Sequence, residues 1–386
     1  LIYLDNAAST QIADSVLQEM MPYLKENYGN PSSIHRFGRL ATKAIESARK
    51  RIAELIGAQP DEILFTSGGT ESNNTALFGV LGKNKGQLIT SSIEHDAILE
   101  PCKRLQSQGH EVIYLPVDSF GIVDVEKLKS AITKQTALVS IMYANNEVGT
   151  IQPIKQIAQI CKDNGVPFHT DAVQAVGKIP LDVKELGVDL MSISSHKING
   201  PKGVGALYIR NGVQVDPLIL GGGQEDGLRS GTENVANIVG FGKACQLAKE
   251  NLQKNAEHLK GLRDALIQNV SKEISHVAVN GHRESRLPNN AHFTFLGVNG
   301  EDLIIKLDEH GIAASTGSAC SVKTQKASHV LAAMGFSHEQ ITGSLRLTVG
   351  LANTMQEMEK TAQTLKQVVS ELRSVSPFKT KYGFAN

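Results

Sequence analysis

Four short runs of this sequence carry side chains whose types and spacing suit chemistry. Ser194-Ser195-His196-Lys197-Ile198-Asn199-Gly200-Pro201-Lys202-Gly203 follows the apolar Asp189-Leu190-Met191-Ser192-Ile193 and precedes a second strand-like run, Val204 to Ile209. A lysine at the mouth of a buried strand is poorly solvated, which lowers its pKa and makes it the amine nucleophile that Schiff-base chemistry needs. A lone lysine at such a turn more often only snorkels to solvent; here Ser194 and His196 flank Lys197 as phosphate donors. Thr66-Ser67-Gly68-Gly69-Thr70-Glu71-Ser72-Asn73-Asn74 is a glycine turn between a strand and a helix. The free N–H groups of that helix start, its dipole and the Thr70 hydroxyl form a phosphate cradle, although glycine turns of this kind are often only turns. In Phe168-His169-Thr170-Asp171-Ala172-Val173-Gln174 an aspartate ends a strand. It suits either a protonated heteroaromatic nitrogen, with Gln174 reaching a ring oxygen, or an ordinary helix cap. Finally, Cys320 sits in Ser315-Thr316-Gly317-Ser318-Ala319-Cys320-Ser321-Val322-Lys323-Thr324, a small polar stretch with neither helical nor strand period. An exposed, mobile loop is expected there, with Lys323 favouring the thiolate.

The elements that must position these residues follow from periodicity. Arg36 to Gly57 has apolar residues at Leu40, Ala44, Ala48, Ile52 and Leu55, a helical stripe closed by glycine. Short β-rich runs follow at 63–65, 88–90, 112–115, 138–141 and 166–170, separated by helical segments near 95–108, 125–132 and 154–164. That alternation predicts an α/β fold, a mostly parallel sheet with helices on both faces and ligands at the carboxyl ends of its strands. Asn234 to about Asn269 reads as one long helix bridging two domains. Strands near 276–280, 291–296 and 345–347, with helices at 301–310 and 354–373, predict a smaller α+β domain. The expected division is a large domain over 13–253 and a small one built from 1–12 and 254–386.

Composition narrows the function classes. The chain has 386 residues, 41% of them apolar, with Lys+Arg and Asp+Glu both totalling 39. This length suits two domains, and no basic field exists to hold nucleic acid. No run approaches the roughly 18 apolar residues of a membrane span, and Leu1-Ile2-Tyr3-Leu4-Asp5 reads as a strand rather than a signal peptide. Cys102, Cys161, Cys245 and Cys320 are far apart and form no C-x-x-C, which argues against a zinc site and fits a reducing cytosol. The first three sit in helical patterns and are expected to be buried and inert.

Taken together, the chain resembles the pyridoxal-phosphate enzymes of the aspartate-aminotransferase fold, and among them the cysteine desulfurases of the NifS/IscS kind. The resemblance runs nearly end to end. It is carried by Tyr3-Leu4-Asp5-Asn6-Ala7-Ala8-Ser9-Thr10, Gly29-Asn30-Pro31-Ser32-Ser33-Ile34-His35, the Thr70 turn, Glu94-His95, Ala144-Asn145-Asn146-Glu147-Val148-Gly149-Thr150 and the Asp171 strand. Ser195-His196-Lys197, Gly221-Gly222-Gly223-Gln224-Glu225, Gly227-Leu228-Arg229-Ser230-Gly231-Thr232, Gly317-Ser318-Ala319-Cys320 and Leu345-Arg346-Leu347 complete it. The family usually has an arginine shortly after this last strand, where the chain reads Gly350-Leu351-Ala352-Asn353.

The resemblance implies a mostly parallel, seven-stranded type of sheet, pyridoxal 5'-phosphate as cofactor and a homodimer. Lys197 is implied as the Schiff-base lysine and the base that moves the Cα proton, and His95 as the residue stacked on the ring. Gly69, Thr70, Ser194 and His196 are implied phosphate ligands, with Thr232 reaching the phosphate of the other subunit. Asp171 and Gln174 contact the ring, while Asn146 and Arg346 hold the substrate carboxylate. L-cysteine would yield L-alanine and a persulfide on Cys320, for passage to an acceptor such as an iron–sulfur scaffold. An aminotransferase, a selenocysteine lyase and a non-enzymatic scaffold subunit are the alternative readings.

Overall fold

The structure is a computed structural model that describes residues 1–82, 86–317, 327–377 and 382–384. After a short strand β1 (Ile2–Tyr3), the chain lays down β2 (Ile63–Thr66), β3 (Gln87–Ser91), β4 (Glu111–Leu115), β5 (Thr136–Ser140), β6 (Phe168–Asp171), β7 (Leu190–Ser194) and β8 (Gly205–Ile209). The last seven form one sheet in the order β2-β8-β7-β6-β5-β3-β4. Only β8 runs against its neighbours; the pairs from β7 through β4 are parallel. This is the mostly parallel sheet that the sequence pattern predicts.

Successive side chains of a strand point to opposite faces, and here both faces are dry. Ile89, Val139, Met191 and Ala206 pack on one face with Phe168, Ile52 and Phe241. Their sequence neighbours Leu88, Leu138, Leu190 and Leu207 pack on the other with Leu77, Ile98 and Cys102. Fully burying such side chains stabilises the fold by about 1.5–3 kcal/mol each. The helix Arg36–Ile56 ends as its periodicity predicts, with Gly57 in the left-handed region at φ 74°.

A second core is built by β9 (Val277–Val279), β10 (Asn290–Phe295), β11 (Ile312–Ala313) and β12 (Ser344–Thr348) with two long helices. β12, β10 and β9 form an antiparallel sheet, and β11 pairs with β1. Phe293, Phe295, Leu345 and Leu347 meet Leu266 and Leu365 there, and Ile2 and Leu4 join them. One expectation is corrected. The run from Asn234 is not one helix but two, Val235–Glu250 and Leu252–Glu273, broken at Asn251 (φ −115°, ψ 10°). The first helix buries Phe241 in the core of the large sheet, the second buries Leu266 in the other core, so the break re-aims one apolar stripe between two partners. No helix among the described residues is long and apolar enough to cross a membrane.

Candidate active site

The parallel strands aim their carboxyl ends at one cavity of about 280 Å3. Ten of the residues singled out from sequence line it: Gly69, Thr70, His95, Asn146, Asp171, Gln174, Ser194, His196, Lys197 and Arg346. Thr232 does not, and Cys320 lies outside the described residues. Gly317, three positions before Cys320, does line the cavity.

Lys197 ends a short turn that leaves β7. Its Nζ donates to the backbone oxygens of Ala7 (2.6 Å) and Ala8 (2.7 Å), so the N-terminal strand's continuation fixes where the amine stands. Gln174 is tied to the same place, its Nε2 donating to Ala7 O at 3.0 Å. Asp171 is the last residue of β6, where the sheet delivers a carboxylate with little solvent around it. Asn73 Nδ2 donates to Oδ2 at 2.6 Å and the Val173 backbone N–H to Oδ1 at 2.9 Å. The cap-like bond to Val173 is therefore made, and the carboxylate still lines the cavity.

The helix Gly69–Leu81 opens straight onto the site from Gly68. Its first N–H groups have no acceptor within the helix, and its positive dipole end favours an anion. A Cβ on Gly69 would come within 2.7 Å of Val173 Cγ2, so only glycine lets this backbone reach the cavity wall so closely. Arg229 Nε pairs with Glu71 Oε1 at 2.9 Å, tying the Arg229-to-Thr232 block to this helix start.

His95 caps the helix Asp96–Ser107, its Nδ1 accepting from the Ala97 N–H at 3.0 Å. Burial pushes its pKa below the usual histidine value against the pull of Asp171, which leaves a neutral ring at neutral pH. His196 is pushed down to about 4 by burial and then by Lys197, Lys202 and Lys178. Arg346 is held on several sides: Nη2 pairs with Asp5 Oδ1 at 2.8 Å, and Nη1 donates to Asn146 O (3.0 Å) and Gly317 O (3.3 Å). Its buried Nε has no hydrogen-bond partner among the described residues.

These side chains fit pyridoxal phosphate. A helix start stripped of side chain suits the phosphate, an amine suits the aldehyde carbon, and an oriented, buried carboxylate suits a protonated ring nitrogen. The cavity is close to the roughly 300 Å3 at which small-molecule sites begin.

Cys102, Cys161 and Cys245 are buried, as their helical patterns predict. Burial pushes the thiols of Cys102 and Cys161 up to about 12 and that of Cys245 well above its ordinary value, which keeps them protonated and inert. Among the described residues no group of three or more His, Cys, Asp or Glu could hold a metal ion. Sequence reasoning gave no role to Asn73, Asp5 or the Ala7 and Ala8 carbonyls. Asn73 was within reach: it lies one helical turn beyond Gly69, hence on the same face. The other three depend on contacts between distant parts of the chain.

Comparison with known proteins agrees with this geometry. Residues 2–361 match the aminotransferase class-V family. A Dictyoglomus turgidum protein named cysteine desulfurase IscS is 52% identical, covering 99% of this chain and 98% of the relative. A Methanosarcina thermophila protein of the same name is 50% identical, covering 98% and 95%. Among solved structures, one described as a NifS-like protein superposes with a TM-score of 0.90 at 41% identity, covering 96% of this chain and 99% of its own. With a cavity of this composition and likeness across nearly the whole chain, the protein belongs to the aminotransferase class-V family, on its cysteine-desulfurase branch.

Proposed function

We propose that this chain is a pyridoxal-phosphate-dependent cysteine desulfurase that moves the sulfur of L-cysteine onto Cys320 and releases L-alanine. The observation that carries the reading is the convergence of Lys197, Asp171, His95 and the Gly69 helix start on a cavity whose wall includes Gly317. The names of its close relatives point the same way. Bound pyridoxal phosphate supplies an electron sink that weakens the substrate's Cα–H and Cβ–S bonds.

The chain's own residues do the rest. Gly69, Thr70, Ser194 and His196 hold the phosphate, with Thr232 serving the site of a second copy in a homodimer. Asp171, already oriented by Asn73 and Val173, keeps the ring nitrogen protonated, and Gln174 faces the ring oxygen. Asn146 and Arg346 hold the substrate carboxylate; the unpartnered Arg346 Nε is a donor that such an anion satisfies. Lys197 binds the cofactor and takes the Cα proton. The Cys320 thiolate attacks the substrate sulfur. An S–S bond forms, the Cβ–S bond breaks, and the carbon side keeps the electron pair and gains a proton. The net change is L-cysteine plus the Cys320 thiol to L-alanine plus the Cys320 persulfide. His95, whose Nδ1 accepts from the Ala97 N–H and whose neutral ring therefore carries its proton on Nε2, gives that proton to one sulfur and recovers one from the other. The persulfide then passes to an acceptor protein such as an iron–sulfur scaffold. The chemistry needs Cys320 reduced, which the cytosol provides.

The two cores support the division into a large domain (13–253) and a small one (1–12 with 254–386). Arg346, from the small domain, and Lys197, from the large one, then face each other across the site. The test is to supply L-cysteine and a reductant and to measure alanine and sulfide together. Equal yields of both are expected. Amino transfer to a keto acid without sulfide would replace this reading with an aminotransferase.

A further inference from the structure

Glu147 carries a carboxyl that the reaction above does not use, yet it is 2% exposed, and an ionisable group so buried is costly unless its surroundings hold it. Its backbone is pinned from both sides of the molecule. The N–H donates to Asn145 Oδ1 at 2.9 Å, and the carbonyl accepts from Asn290 Nδ2, on β10, at 2.9 Å. The side chain therefore has little freedom, and what it touches is informative. Ser328 Oγ donates to Oε2 at 2.5 Å. Gly317 lies against the same side chain so closely that a Cβ there would stand 3.2 Å from Glu147 Cγ.

Gly317 and Ser328 are the residues on either side of 318–327, the stretch that contains Cys320. Each has a second tether. Gly317 O accepts from Arg346 Nη1 at 3.3 Å. Ser328 Oγ accepts from the Leu331 N–H at 3.1 Å, capping the short helix His329–Ala333. The hydroxyl has one proton, and with Leu331 occupying an acceptor position that proton goes to Glu147.

We propose that Glu147 is a positioning residue: its carboxyl holds Ser328 and its side chain backs Gly317 on the cavity wall, so that it fixes both flanks of the Cys320 segment. The inference rests on the desulfurase reading and adds to it the residue that sets where the sulfur acceptor is tethered. Glu147 itself does not line the cavity, where Lys197, Asp171, Asn146 and Arg346 stand. Loss of the anchor should therefore slow sulfur transfer to Cys320 and spare cysteine binding.

The experiment uses the full-length protein loaded with pyridoxal phosphate, as wild type, E147A, E147Q and S328A, mixed with one equivalent of L-cysteine. Three quantities are followed: the cysteine-dependent change in the visible spectrum, the mass of the Cys320 peptide for one added sulfur, and the alanine formed. E147A and S328A are expected to keep the spectral change and to add sulfur at least about tenfold more slowly. E147Q, whose amide oxygen still accepts from Ser328, is expected to recover most of the rate. Should E147A fail to fold, S328A and E147Q decide. Sulfur addition at the wild-type rate in E147A and S328A overturns the proposal. So does loss of the spectral change in step with sulfur addition, which marks a merely structural role. A wild type that forms no alanine removes the desulfurase reading itself and this inference with it, whereas a working wild type with unaffected variants removes only the inference.

Discussion

At the scale of single residues, two side chains make strong claims. Lys197→Ala should leave the fold intact, because the amine donates to the Ala7 and Ala8 carbonyls at the cavity wall and Ala7 O keeps Gln174 Nε2 as a second donor. Alanine formation should fall by a hundredfold or more, the order expected when a positioned base is lost. Borohydride should fix pyridoxal phosphate covalently to the wild type and not to the variant; a cofactor still fixed in the variant would assign the amine elsewhere. Glu94 makes the second claim. It is fully buried, and burial pushes its carboxyl up to about 8, against hydrogen bonds from Ser91 and the Met142 N–H. Between the ordinary carboxylate range and pH 8 the folded state therefore binds a proton that the unfolded chain has released, so stability falls as pH rises through that window. Glu94→Gln cannot ionise, and the stability it keeps at pH 8 relative to pH 5 should exceed that of the wild type by about 2 kcal/mol or more. Urea midpoints at the two pH values measure this, and parallel losses in both proteins would contradict it. Lys197, Asp171 and the Gly69 turn, which the structure brings to one cavity, were legible in the sequence because strand ends and glycine turns announce themselves, whereas His95, Asn146 and Arg346 were named only through the family resemblance. Their supports were not: the carbonyls that hold Lys197 and the Asp5 carboxylate that holds Arg346 come from over a hundred residues away in the chain.

Among elements, the strands and main helices of the large sheet were legible because β-branched runs alternate with helical stripes along the chain. The helix Asp14–Lys25 was not. Its Ala13 cap makes no side-chain bond, Pro22 lies inside it, and it buries only Val16 and Met20. What holds it is tertiary: Met20 packs so tightly on Gly240 that a Cβ there would stand 2.5 Å from the sulfur. The break at Asn251 escaped for the same reason, since one apolar stripe serves two cores that no local pattern separates. Glycine also sets how closely the helices Arg36–Ile56 and Val235–Glu250 cross. A Cβ on Gly242 would lie 2.6 Å from Ala48 Cα, which is backbone and cannot swing away. Gly242→Val gains at most several tenths of a kcal/mol in helix propensity, roughly, against an overpacking cost of about 1–3 kcal/mol. The clash wins, and a lower thermal midpoint is expected by calorimetry. An unchanged midpoint would mean that the crossing is looser than these distances require.

For the whole molecule, the surface bears on assembly. Tyr28, Ile34, Phe37, Leu40, Leu218 and Leu220 are exposed. The proposed role of Thr232 in the site of a second copy calls for a homodimer, and these side chains are available to be covered in one. Sedimentation should give twice the chain mass of 41.5 kDa, and a fully active monomer would contradict the shared site. The central claim concerns sulfur, and the Cys320→Ser variant tests it most directly. The substitution leaves Lys197, Asp171 and the helix start of Gly69 untouched, so L-cysteine should still change the visible spectrum of the loaded protein. A hydroxyl can neither accept sulfur as a persulfide nor supply the anion that a thiol supplies near neutral pH. Cys102, Cys161 and Cys245 changed to serine should keep turnover, with at most a stability loss from a hydroxyl placed in a core. The decisive measurement is a single turnover of L-cysteine by wild type and Cys320→Ser, with alanine quantified and the Cys320 peptide weighed. One added sulfur and one alanine per site are predicted for the wild type, and almost no alanine for the variant. Alanine and sulfide released by Cys320→Ser at the wild-type rate would show that the sulfur never passes through this residue.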